Sequence, residues 1–108
     1  MNRGDIIVVA TRGAYTSKPR PALVVQSDLF NPTHASVTIC PITSDCVDAP
    51  LFRVLLPPGD RTGLQTMSQV MVDKVVSVPC QSLGRVIGRC SAIELDAVDE
   101  ALRGWLAL

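Results

Sequence analysis

SAIELDAVDEALRGWLAL, residues 91–108, is the stretch whose apolar period differs from everything before it. Leu95, Val98, Leu102 and Trp105 with Leu106 recur at three and four positions, the spacing that gathers side chains on one face of an α-helix. Ser91 followed by Glu94 makes a capping-box pair, and Asp96 adds negative charge to the first turn. These signals predict a helix from about residue 92 to the end. A helix with one apolar face needs a surface to cover, so the rest of the chain must supply one.

Upstream of residue 91 the apolar runs are short, β-branched and bounded by turn residues, which reads as strands. They are IIVVA (6–10), ALVVQ (22–26), SVTICPI (36–42), FRVLL (52–56), QVMV with VVSV (69–78) and RVIG (85–88). Between them lie TRGAYTSKPRP, NPTH, SDCVDAP and PPGDRTG, rich in Pro, Gly, Asp, Asn and Ser. Pro57 and Pro58 should stop a strand outright, because neither has an N–H to give a neighbour. Hydrophobic residues make up 47% of the chain but aromatics only 4%, so Val, Ile and Leu must fill the core. The fold class is therefore mainly β with a C-terminal helix: one domain over residues 1–108, a strongly curved β-barrel closed by the helix.

No apolar run approaches the roughly 20 residues of a membrane helix, and MNRGD lacks the apolar stretch of a signal peptide. A cytosolic protein is expected. Cys40, Cys46, Cys80 and Cys90 contain no Cys-x-x-Cys pair, and His34 is the single histidine, so neither zinc nor another cofactor is expected. In a cytosolic chain the thiols read as small core fillers. The formal charge is zero but unevenly spread: residues 1–20 and 61–90 each carry +3, and residues 91–108 carry −3. If the two basic segments share a face, that face can hold a short phosphate chain.

RGDIIVV (3–9), KPRPALVVQSD (18–28), CPITSD (40–45), GLQTMSQVMVDKV (63–75) and LGRVIGR (83–89) fall in the order and spacing of the MazF/PemK toxins, which this chain resembles over nearly its whole length. The resemblance implies an SH3-like barrel with an added helix. It also implies a bacterial, cytoplasmic homodimer that cuts single-stranded RNA in a groove across the dimer, without metal, and is silenced by the extended tail of a MazE-like antitoxin. Two alternatives keep the fold. The related CcdB toxins poison gyrase without catalysis, an activity associated with a Trp-Gly-Ile ending where this chain has Trp-Leu-Ala-Leu; the other is a plain SH3-like interaction module.

By the same resemblance Arg20, in KPRPALVV, and Thr43, in CPITS, are the first candidates for catalysis. Asp73, in MVDKV, matches an acidic position used by the PemK branch, although Met71 stands where that branch has an arginine. The chemistry suits these residue types. Attack by the 2′-hydroxyl on the adjacent phosphate gives a 2′,3′-cyclic phosphate and a 5′-hydroxyl, and needs proton transfers and charge stabilisation on phosphorus. Arg20 can hold two phosphate oxygens, Thr43 and Ser44 can donate hydroxyl protons, and Asp73 is read either as base or as a structural partner. Tyr15 is the expected base-stacking ring, beside Arg12 and Lys18 in one loop. Arg61, in the loop 57–63 with Asp60, and Gln69 complete the expected RNA contacts.

Overall fold

The central strands run apolar enough to bury at least one face, and the computed structural model, which describes residues 1–10 and 18–108, pairs all seven strands antiparallel. The strands are β1 (Asp5–Val9), β2 (Arg20–Val24), β3 (Ser36–Thr43), β4 (Arg53–Leu56), β5 (Ser68–Met71), β6 (Val76–Pro79) and β7 (Leu83–Arg89), followed by the helix α1 (Ala92–Leu106). Their order across the sheet is β4-β5-β3-β2-β1-β7, with β6 also paired to β3. β4 ends at Leu56, where Pro57 and Pro58 follow.

The expected strand region 69–78 is broken. Val72–Lys74 form a 3-10 turn, which separates β5 from β6. Both halves then use β3: Val70 and Gln69 pair with Ile42 and Thr43, whereas Val76 to Pro79 pair with Ile39 back to Ser36. The interruption falls opposite Cys40 and Pro41, and Pro41 has no N–H for a continuous ladder. Buried Val72 plugs the core at the turn.

Both faces of the middle strands are covered, as a curled sheet requires. Ile6, Leu23 and Cys40, aligned across β1, β2 and β3, join Leu56, Val70, Val72, Val98 and Ala101 in the larger core under α1. Ile7, Val9, Ala22, Val24, Val37 and Ile39 form the second core, packed by Val78 and Leu83.

The helix begins as its sequence signals. Ser91 Oγ accepts from the Glu94 N–H at 3.1 Å and Glu94 Oε1 accepts from the Ser91 N–H at 2.9 Å. Leu95, Val98 and Leu102 face the core, but the expected face loosens at its end, where Trp105 and Leu106 are about half exposed, at 51% and 50%. Trp105 instead rests against Phe52, ring centroids 5.8 Å apart. Arg3 ties the N-terminus to this helix through an ion pair with Asp99, and its Nε donates to the Val25 carbonyl at 2.9 Å. Gly4, at φ +93, makes the bend between Arg3 and β1.

The cysteines divide. Cys40 and Cys90 are core residues, and burial pushes each thiol up to about 12. Cys46 and Cys80 are exposed, which corrects the expectation that all four fill the core. Among the described residues no helix is long and apolar enough to cross a membrane.

Candidate active site

Arg20 opens β2 and Thr43 closes β3, so the two lie at the same end of neighbouring strands. Ala22 is opposite Pro41, Leu23 opposite Cys40 and Val24 opposite Ile39, and Arg20 and Thr43 follow just beyond the Ala22–Pro41 end of that pairing. A guanidinium and a hydroxyl that share a cleft can address one phosphate.

Both line a cleft of about 790 Å³. Its apolar lining includes Val8, Pro21, Ile42, Leu64 and Ile87, while Lys18, Arg20 and Arg85 bring three cations and Thr43, Ser44 and Thr66 bring hydroxyls. Among the described residues no carboxylate or imidazole lines it. The two basic segments therefore meet: Lys18 and Arg20 come from the first, Arg85 from the second. Arg85 was missed as a site residue, because a charge count over residues 61–90 cannot say which of its four cations turns inward.

Thr43 is oriented for donation. Its Oγ1 accepts from the Asp45 N–H at 3.0 Å, which leaves its own proton to give to a ligand.

The structure takes three expected site residues elsewhere. Asp73 sits on the 3-10 turn, packed between β3 and α1, and does not line the cleft. Its Oδ1 is buried with no hydrogen-bond partner among the described residues. Arg61 is held by Glu94, with Nη1 and Nη2 at 2.7 and 3.0 Å from the two carboxylate oxygens, and it also donates to the Arg89 carbonyl at 3.1 Å. Gln69 is buried; its Nε2 donates to the Val47 carbonyl at 2.8 Å, and its Oε1 accepts from the Val47 N–H and Arg53 Nη1, both at 3.1 Å. It pins the loop after β3 and faces a second hollow, about 890 Å³, between residues 47–55 and α1. Lys18 and Ser44 do line the cleft, and Arg12 and Tyr15 lie outside the described residues.

The description "PemK-like, MazF-like toxin of type II toxin-antitoxin system" fits residues 2–106 as a family. The chain belongs to that family. The Mycolicibacterium smegmatis protein named "Probable endoribonuclease MazF" is 47% identical over 108 residues, spanning 100% of this chain and 98% of the relative. In three dimensions this MazF/PemK chain is similar to "Mycobacterium tuberculosis toxin MazF-mt6", with a TM-score of 0.82 at 27% identity over 96% of this chain and 97% of the other. It also resembles "MazE-MazF (Form-I) from Deinococcus radiodurans", with a TM-score of 0.81 at 25% identity over 100% and 97%. The mainly β MazF-like fold with its C-terminal helix, and membership among the MazF/PemK toxin endoribonucleases, are thereby established.

The Arg61–Glu94 pair gives the toxin a pH signature. Hydrogen bonds from Arg61 are the main cause that lowers the Glu94 carboxyl from its ordinary 4.5. A carboxylate lowered in the folded state stabilises it fully above the unfolded value and loses that contribution as pH falls through the folded value. Glu94→Gln keeps the capping geometry and removes the charge. The variant is expected to melt a few degrees below the unsubstituted chain at pH 7, with the gap narrowing as pH falls below 4.5; a gap that stays constant on acidification, by thermal denaturation, would contradict this.

Proposed function

We propose that this MazF/PemK toxin cuts single-stranded RNA at the Arg20–Thr43 cleft by internal transesterification, without a metal ion. The meeting of Arg20 and Thr43 at adjacent strand ends, in a cleft with three cations, carries the reading. Arg20 spans two non-bridging oxygens of the scissile phosphate with its planar fork and holds the charge that builds on phosphorus. Thr43 donates its hydroxyl proton to the same phosphate, and Lys18 and Arg85 hold the chain on either side.

The 2′-oxygen bonds to phosphorus as the bond to the 5′-oxygen breaks. One proton leaves the 2′-hydroxyl and one reaches the departing 5′-oxygen, so no water is consumed. Lys18, a donor on a flexible stem, supplies the second proton, and solvent takes the first, since no carboxylate or imidazole lines the cleft among the described residues. Asp73 then has a structural role on its turn. Magnesium is bound through carboxylates and phosphates, and this donor set is cationic instead.

The working unit is proposed to be a homodimer. Half-exposed apolar side chains on β6, β7 and α1, Val76, Val86 and Trp105, support it. A MazE-like antitoxin is the proposed second partner, supported by the MazE-MazF pairing named for the Deinococcus relative. An extended acidic tail fits the charge of the cleft.

Long single-stranded RNA incubated with the protein in EDTA is expected to give discrete fragments with 2′,3′-cyclic phosphate and 5′-hydroxyl ends. Arg20→Ala should lower kcat by about 10²–10³, as loss of one preorganised oxyanion donor does, and Thr43→Ala by less. Arg20→Lys should not restore the rate, because a point charge cannot span two oxygens. Full activity in either alanine variant, or intact RNA with the unsubstituted protein, would refute the assignment. Sedimentation at micromolar concentration should read two chains; one chain would refute the dimer.

A further inference from the structure

We propose that Gln65 is a specificity-determining residue whose side-chain amide reads the edge of one unpaired base next to the scissile phosphate. The inference rests on the nuclease reading above and deepens it. The glutamines of known position differ sharply in what occupies their amides. That of Gln69 is taken up by Val47 and Arg53, and that of Gln26 by Asn31, Ser36 and Thr38. Gln65 and Gln81 are both exposed and make no side-chain hydrogen bond among the described residues, and of the two it is Gln65 that lines the cleft.

The backbone that carries Gln65 is fixed on both sides. Before it, the buried Thr62 hydroxyl donates to the Pro57 carbonyl at 2.7 Å, and the Gly63 N–H donates to the Gly59 carbonyl at 2.8 Å. Gly63 adopts φ +72 and lies so close to β7 that a Cβ there would stand 2.1 Å from the Ile87 carbonyl oxygen. Arg61, gripped by Glu94, staples the same loop to the start of α1. Leu64 is then buried in the core. After Gln65, the Ser68 hydroxyl donates to the Thr66 carbonyl at 3.0 Å, and Ser68 pairs with Leu56. Between Leu64 and Ser68 the chain has few freedoms left. A held backbone spares the backbone share of the ordering cost, so binding has only the glutamine's own rotamers to fix.

The chemistry matches a base rather than a phosphate. A neutral amide offers one acceptor and two donors in a fixed plane, and unpaired bases in single-stranded RNA expose donor and acceptor atoms side by side on their Watson–Crick edges. Phosphates have the cations of the cleft. Arg61, expected to contact RNA, thus becomes part of the anchor, and the reading edge moves to the residues just after its loop.

The experiment maps cut sites on a randomised single-stranded RNA pool for the unsubstituted chain, Gln65→Ala and Gln65→Glu. In Gln65→Ala the preference at one position should relax, the ratio of best to worst base there falling about tenfold, with other positions unchanged. Gln65→Glu, an acceptor only, should shift that position toward bases that donate, guanine foremost through its adjacent N1–H and N2–H groups. Unchanged profiles in both variants, or a uniform slowing at every site, would overturn the assignment while leaving the nuclease reading intact. Absence of cutting by the unsubstituted protein would instead overturn the nuclease reading, and this inference with it.

Discussion

Pairing of β2 with β3 in a single register is the constraint on which the rest depends. Successive strand residues point to opposite faces, so a slip of one position would exchange the two cores: Leu23 would leave its place beside Ile6 and Cys40, and Ala22 and Val24 would leave the second cluster. Both faces are buried here, which makes any slip costly from either side. The same pairing brings the neighbouring strand ends, with Arg20 and Thr43, to one cleft. The site thus inherits its geometry from core packing several residues away.

Electrostatics follow the same division of labour. Arg3 is engaged by Asp99 and Arg61 by Glu94, both acids of the helix, and these pairs hold α1 against the sheet. Lys18, Arg20 and Arg85 make no ion pair with a described residue and line the cleft together. A chain of zero formal charge can therefore present a cationic site, because its acidic C-terminal segment neutralises the cations that build the fold and leaves those that face a polyanion.

The strands, the capping box at Ser91 and the helix period were legible because each is a local pattern, readable within a few residues. The 3-10 turn at Val72–Lys74 was not, since Val-rich QVMV and VVSV look continuous until β3 is seen to need two different partners along its length. Arg20 and Thr43 were found through the family's motifs, and the pairing of their strands adds a physical reason for them to meet. Residue type could not separate Arg61 from Arg85, or Gln69 from Gln65. In each pair one member was expected at the RNA and is held by the protein, while the other lines the cleft. Which one is taken depends on neighbours more than ten residues away in sequence, such as Glu94 and Val47.

The claim that the cleft at the β2–β3 strand ends holds the reacting phosphate is tested most directly by titrating isotope-labelled protein with a single-stranded 2′-deoxy oligonucleotide, which can bind but has no attacking hydroxyl. NMR shifts are expected to centre on the Arg20 side chain, Thr43, Gln65 and Arg85. Shifts confined to the hollow between residues 47–55 and α1, with those four unmoved, would contradict the account.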